Sequence, residues 1–374
     1  RAIIKHMSVV ILNDFFGKSH APDIQFDPYF SNYPVKKLDD ANAEDKNFLY
    51  LYYRPEDFHE MISTQHKEFY KQVKDKNCNV LIYHEGFDLF RIPEIFENPL
   101  PLDIDNEPYW KIVNFFLNQG IDEDRLYFLI SAIGYEQDLE LLKQRKIPWI
   151  NKIKPVQAKF CTLNSSMLWG SQQKKIKVQK KSFEKIYASL ANGRPAAHRY
   201  ELTRKLWKEN LIKDGFVSMC HMIKGDEEFE SHLPIIFDNQ VSLWKKNVDE
   251  NHIFQKSFLW ISNETHMDNK LTLFSEKTIS AILYMNPFVV NGDLGTLKYL
   301  KELGFKTFKE FWDESYDLIE NRDERQNKII NIIKDLKNKD LQELYNKMRP
   351  ILEHNRDLLM NKDWLKTLHN FLQS

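Results

Sequence analysis

Short apolar runs alternate along this chain with longer stretches that carry an apolar residue every third or fourth position. The runs Ser8–Leu12 (SVVIL), Asn47–Tyr53 (NFLYLYY), Asn79–Tyr83 (NVLIY), Leu126–Ser131 (LYFLIS), Lys185–Leu190 (KIYASL) and Ser257–Ile261 (SFLWI) suit buried strands, with Phe160–Leu163 as one more. Between them His59–Lys74, Trp110–Asn118, Tyr135–Lys146 and Ala197–Asn210 have helical spacing. The clearest stretch runs from Lys270 to Asp317. Lys270–Phe274 alternates as a strand does, Ser275 stands where an N-cap belongs, and Ile279, Ile282 and Leu283 follow at helical spacing. Asn286 and Pro287 stop that helix, Phe288–Val290 is a second strand, and Gly292 and Gly295 precede a helix at Thr296–Leu303. After Asp317 the pattern turns wholly helical: Asn321–Leu336, Leu341–Glu353 and Asp363–Leu372.

Strand and helix in alternation with short glycine-bearing turns predict parallel sheets covered by helices. Ligands bind such sheets beyond the carboxyl ends of the strands. Ser275-Glu276-Lys277 and Gly292-Asp293-Leu294-Gly295 both fall there. A helix start carries free N–H groups and partial positive charge, which attract phosphate, and Lys277 adds a full charge. Glu276 can accept hydrogen bonds from sugar hydroxyls. Ordinary helix capping explains the same residues. A similar junction follows Lys185–Leu190, where Arg194 lies in a Gly/Pro loop and His198 and Arg199 on the first turn of the next helix. That is either a phosphate site or charged surface at a helix end. Past Asn79–Tyr83 come Glu85 and Asp88; a carboxylate there can take a proton from a hydroxyl, or simply close a solvated turn.

Composition narrows the field. With 374 residues the chain has room for two domains, and 42% hydrophobic content supports sizeable cores. A formal net charge of −1 gives no global basic excess. Local charge is uneven: Gln172–Lys181 (QQKKIKVQKK) is the densest basic run, read as a solvated linker in preference to a polyanion surface, and the domain boundary is placed on it. Cys78, Cys161 and Cys220 make neither a metal pattern nor a disulfide framework and are expected to be buried side chains in a reducing cytoplasm. No apolar run is long enough to span a bilayer. Arg1–Met7 is too short and polar for a signal peptide, and His6-Met7 reads as a cloning scar before a start at Met7.

The ordered run SEKT, NPFVVNGDLGTLKYLKELGFKTF and DESYD, with the strand–loop–His-Arg–helix–Gly–Ser-strand block of Glu184–Ser218, resembles a glycosyltransferase family of bacteriophages and bacteria. The family is distantly similar to the donor-binding domain of fucosyltransferases. The two blocks cover roughly the second half of the chain. The resemblance implies an α/β, GT-B-like fold: two doubly wound Rossmann-type domains facing a cleft, here 8–172 on the acceptor side and 182–320 on the donor side, with a helical segment at 321–374 bracing them. It implies transfer of a sugar from a nucleotide-diphosphate sugar to a hydroxyl acceptor, either a hydroxymethylated base of duplex phage DNA or a glycan. It places Arg194, His198, Arg199, Glu264, Ser275, Glu276 and Lys277 around the donor, and makes Glu85 the candidate base with Asp88 in reserve. Asp103-Ile104-Asp105 has the spacing of a metal-binding pair but lies in a polar, proline-bordered loop, so no metal and no cofactor are expected. The expected location is the cytoplasm, that of the host if the chain is phage-encoded. The competing reading is a non-catalytic nucleic-acid or virion interaction protein that keeps the same shell.

Overall fold

A computed structural model describes residues 9–12, 33–42, 45–53, 67–84, 108–130, 158–162, 165–191, 196–219, 226–235, 250–265, 267 and 274–373. The chain divides into two compact units, residues 1–165 with 363–374, and residues 166–362. Each is built on one parallel sheet, as the alternating pattern predicts.

The first unit's sheet has the order β2-β1-β3-β4-β5-β6, from β1 (Val9–Leu12), β2 (Val35–Lys36), β3 (Lys46–Tyr53), β4 (Asn79–His84), β5 (Leu126–Ile130) and β6 (Lys159–Thr162). Helices α1 (Lys67–Asp75) and α2 (Pro108–Asn118) precede β4 and β5. Their inner faces meet through Tyr70, whose ring packs edge-on to Phe115 and Phe116 at 5.0 and 5.8 Å. Cys78 and Cys161 are buried thiols, pushed up to about 11 and about 12 by burial. The expected helix at 135–146 lies outside the described residues, as does the amino-terminal part of the one expected at 59–74.

The second unit begins with α3 (Ser165–Gln172), and the division falls one helix earlier than the lysine run on which the sequence placed it. The reason is packing. Gly170 lies so close to Ile279 and Leu359 that a Cβ there would sit 2.4 Å from Ile279, and Ser166 Oγ donates to the Phe274 carbonyl. The run itself is an extended strap on this unit: Arg356 donates to the Ile176 carbonyl and Gln255 to that of Lys180. Lys174, Lys175, Lys177 and Lys180 are exposed. Lys181 is buried, and its ammonium donates to the carbonyls of Phe254 and Tyr284 and to Asn286 Oδ1. Burial lowers its pKa to about 7.

The second sheet runs β10-β9-β7-β8, from β7 (Lys185–Leu190), β8 (Gly215–Ser218), β9 (Ser257–Asn263) and β10 (Phe288–Asn291). Helices α4 (Ala197–Lys208), α5 (Glu250–Lys256), α6 (Glu276–Leu283) and α7 (Thr296–Glu302) connect them or follow β10. Every residue of β9 is buried, as its uninterrupted SFLWI run requires. Phe254 on α5 stacks between Trp260, at 4.1 Å, and Tyr284, at 4.2 Å. Strand β10 pairs with β9 in parallel. Of the expected strand at 270–274, residues 270–273 lie outside the described residues, and Phe274 is already the approach to the α6 cap.

The chain closes with α8 (Arg322–Leu336), α9 (Leu341–Asn361) and α10 (Lys366–Gln373). Asn321 and Asp340 cap the first two, accepting from the Glu324 and Glu343 N–H groups. Helices α8 and α9 belong to the second unit and α10 to the first. In the first unit, the Phe371 ring of α10 packs 5.3 Å from Tyr127.

Candidate functional site

Strand β7 has β8 on one side and β9 on the other, so the strand order of the second sheet reverses there. The carboxyl end of such a reversal is where the connecting loops part and leave a crevice. Two loop-to-helix junctions leave it: β7 to α4 and β9 to α6.

At the first junction the sequence Ala197-His198-Arg199-Tyr200 starts α4. Tyr200, Leu202 and Leu206 turn to the core at helical spacing. The same first turn carries His198 and Arg199 inward, each only 4% exposed. At the second junction Glu264 leaves β9 and is 1% exposed. Its backbone carbonyl accepts from His198 Nε2 at 2.9 Å, Arg199 Nε at 3.1 Å and Arg199 Nη2 at 2.8 Å. Its carboxylate turns the other way. Oε2 accepts from the Ser275 N–H at 3.2 Å and Oε1 from Thr278 Oγ1 at 2.5 Å. One residue therefore ties the start of α4 to the start of α6.

Ser275 is the N-cap foreseen from the sequence. Its backbone is extended and its Oγ accepts from the Lys277 N–H at 3.2 Å. The Lys277 ammonium lies 3.2 Å from Ser275 Oγ and 2.9 Å from Glu276 Oε1. Burial raises the Glu264 pKa, opposed by Lys277 and by the bonds from Ser275 and Thr278. Burial lowers that of Arg199, opposed by the Glu264 and Glu276 carboxylates. The cluster holds two cations, Arg199 and Lys277, and two carboxylates: Glu264, whose charge burial disfavours, and Glu276, which pairs with Lys277.

Beneath it lies a layer of amides. Asn263 and Asn291 end β9 and β10 in register. Asn291 Nδ2 donates to Asn263 Oδ1 at 2.8 Å, and Asn263 Nδ2 to Ser189 Oγ at 2.9 Å. Gly292 follows, and a Cβ on it would sit 3.0 Å from Glu264 Cβ. Neither the amide layer nor Thr278 was singled out in the sequence, although an Asn at the end of each of two neighbouring buried runs is a readable signal.

Of the residues expected around a donor, His198, Arg199, Glu264, Ser275, Glu276 and Lys277 come together. The Glu264 carboxylate is turned inward, where it accepts from the Ser275 N–H and the Thr278 hydroxyl. His198 is packed, with its ring nitrogen on a backbone carbonyl. Arg194, Glu85 and Asp88 lie outside the described residues. Among the described residues no three His, Cys, Asp or Glu side chains are grouped so as to hold a metal ion. No described helix is long and apolar enough to cross a membrane.

No protein-family model matches the chain, and no curated protein matches it. Solved structures do align along nearly its whole length. A mutant of T4 phage BGT in complex with UDP-glucose aligns at 10% identity and TM-score 0.43, covering 98% of this chain and 99% of that one. The DNA modifying enzyme beta-glucosyltransferase, with and without uridine diphosphoglucose, aligns at 11% and 0.44, covering 98% and 100%. T4 phage BGT in complex with UDP and Mn2+ aligns at 12% and 0.41, covering 98% and 99%. All three are beta-glucosyltransferase structures and none is a fucosyltransferase.

Proposed function

We propose that the chain is a glycosyltransferase that takes its sugar from a nucleotide-diphosphate sugar, with the donor diphosphate held in the crevice at the carboxyl ends of β7 and β9. The observation that carries this reading is the convergence of two loop-to-helix junctions on Glu264, which puts Arg199 and Lys277 beside the same helix start. Loss of a nucleotide diphosphate from a sugar leaves two negative phosphates, and catalysis rests on countering that charge as it develops. Arg199 supplies a planar guanidinium oriented by the Glu264 carbonyl; Lys277 supplies a point charge on a short tether. The α6 start adds its dipole. The resemblance of SEKT and the Glu184–Ser218 block to phage and bacterial glycosyltransferases supports the same reading from the sequence.

In this proposal Arg194 reaches the diphosphate from the β7 loop, and Glu276 meets ribose or sugar hydroxyls. Glu85 deprotonates the acceptor if the anomeric centre inverts, with Asp88 in reserve; if it is retained, Glu85 orients the acceptor. The residues named for the donor all act without a metal ligand set. The acceptor is a hydroxyl of a modified base in duplex DNA or of a glycan. Lys174, Lys175, Lys177 and Lys180 are exposed, as a solvated linker requires, and would be open to a polyanionic acceptor.

Calorimetry with a panel of UDP- and GDP-sugars tests the donor. Saturable heat with at least one member is expected. Absence of binding across the panel overturns the proposal and returns the chain to a non-catalytic interaction role. With a donor in hand, salt-sensitive binding of duplex DNA separates the two acceptor classes, because phosphate contacts weaken steeply as salt rises.

A further inference from the structure

The helices after the second sheet do more than cover it. Helix α8 enters beside the crevice, and two consecutive residues of its first turns reach the ends of the strands. Arg325, 3% exposed, donates Nη1 to the Gly292 carbonyl at 2.6 Å and Nε to that of Ile319 at 2.8 Å. Gln326 has no exposed surface; its Nε2 donates to the His198 carbonyl at 2.7 Å and lies 3.2 Å from Asn291 Oδ1. Its Oε1 is buried without a hydrogen-bond partner among the described residues.

An amide this deeply buried and only half satisfied is costly where packing alone is wanted; an apolar side chain of the same shape would avoid the penalty. What the amide contributes is direction. Gln326 grips the carbonyl of His198, whose ring and whose neighbour Arg199 both donate to the Glu264 carbonyl. The Glu264 carboxylate in turn holds the Ser275 N–H and the Thr278 hydroxyl. One continuous chain of hydrogen bonds therefore runs from α8 through the first turn of α4 to the start of α6.

We infer that Gln326 is a positioning residue of the crevice: it sets the first turn of α4, and through it the Arg199–Glu264 contact that orders the start of α6. Its effect on a donor rests on the proposed function; its effect on the start of α6 does not.

Hydrogen exchange on the full chain without ligand reads the second effect. The test variant is Gln326→Met, which keeps length and volume and removes the donor. Exchange at the amides of residues 275–279 is expected to speed up by roughly tenfold, although the hydrogen bonds of Gln326 reach them only through His198 and Glu264. Gln326→Asn keeps an amide but falls short of the His198 carbonyl, and serves if the Met variant does not fold; the same direction is expected. The control is Asn355→Leu. Asn355 is 1% exposed and grips the backbone of Lys306 at 2.8 Å on both sides, so its loss lowers stability without touching the relay. Unchanged exchange at 275–279 in the Gln326 variants, or an equal increase in the control, overturns the inference. Calorimetry with the sugar-nucleotide that the wild type binds supplies the other arm. Gln326→Met is expected to bind it about three- to tenfold more weakly, the worth of one ordinary hydrogen bond, with Asn355→Leu at wild-type affinity. Equal affinity in the two variants overturns the positioning role. A wild type that binds no sugar-nucleotide defeats the proposed function alone, and the exchange result still decides the relay.

Discussion

The starts of α6 and α7 lie beyond adjacent strands of one sheet, and both are held by a buried carboxylate from elsewhere in the chain. Glu264 caps α6 through Ser275 and Thr278; Asp317 caps α7, accepting from the Leu297 N–H at 2.9 Å and the Lys298 N–H at 3.1 Å. Burial raises the pKa of both carboxyls. What separates the two is their company. Glu264 has Arg199 on its carbonyl and Lys277 beside its carboxylate. Asp317 borders an open hollow of about 500 Å³ whose other lining includes Glu302 and Glu314 alongside Lys298 and Lys301, so the charges there largely cancel. Lys301 is paired to Glu314 at 3.2 Å, as Lys277 is to Glu276 at 2.9 Å; what sets the α6 start apart is the buried guanidinium of Arg199 on the Glu264 carbonyl. On the proposed function, the buried Arg199 is what distinguishes the α6 start from the α7 start.

The sharpest way to break that contrast is Arg199→Met. It removes a buried guanidinium that donates twice to one carbonyl, and with it the charge proposed for the diphosphate. The expected loss in donor affinity is ~10- to 150-fold, the range for charge-assisted hydrogen bonds of about 1.5–3 kcal/mol, together with a lower melting temperature. Calorimetry and a thermal scan read the two separately. Donor affinity within about twofold of wild type would exclude Arg199 from the site.

The paired lysines test the same contrast at lower amplitude. Lys277→Ala is expected to weaken donor binding by about tenfold or more, while Lys298→Ala, at the start of α7, leaves it unchanged. Lys298 is 73% exposed in its side chain, and its 4.0 Å approach to Glu302 is worth little in water. Equal losses from both changes would mean that the donor does not distinguish the two helix starts.

These contrasts also show how far the sequence could be read. The β7 run KIYASL and the Ser275 cap were legible because strand burial and helix capping are local: a few residues decide them. Asp317 was noted only as part of DESYD; its cap partners lie 19 and 20 residues behind it, and the contact was not legible. Glu264 was singled out in the sequence, but its hydrogen-bond partners were not. Its partners sit 11 and 14 residues ahead and 65 and 66 residues behind, and no short-range pattern says which way a carboxylate will turn. Gln326 was invisible for the same reason. Its partner His198 is 128 residues away, and a Gln in a polar helical run looks solvated until the helix docks.

The two capping carboxyls can be separated by pH. In both, the folded-state pKa lies above the unfolded one, so between the two values the folded state binds more protons. Each contributes stability that is present below the unfolded value, 4.5 for Glu264 and 3.8 for Asp317, and lost as pH rises through the raised folded value. Glu264→Gln and Asp317→Asn should each flatten the decline in stability over that window, at an overall cost of about 1 kcal/mol for one disturbed cap bond. Only Glu264→Gln should also weaken donor binding. Chemical denaturation at stepped pH gives the slopes, and a decline that persists unchanged in both variants would mean that neither carboxyl titrates as its burial requires.

Gly292→Ala is the smallest change and the most local. Its new methyl would stand 3.0 Å from Glu264 Cβ, 3.1 Å from Glu264 Cγ and 3.1 Å from Val290 Cγ1. Val290 is held within β10, so Glu264 is the neighbour that must yield. A shift of a few tenths of an ångström lengthens its bonds to Ser275 and Thr278 before it disturbs the sheet. The expected cost in stability is about 1 kcal/mol, at the low end for overpacking, with a donor affinity lowered by about twofold through the loosened α6 start. Gly295→Ala makes the comparison at α7. There a methyl meets nothing within 4 Å, but the backbone sits at φ +76°, so its cost is conformational. It should destabilise the fold by a similar amount while leaving donor affinity alone. If both alanines weakened the donor equally, the two helix starts would be coupled, and Glu264 would not be the residue that sets α6 apart.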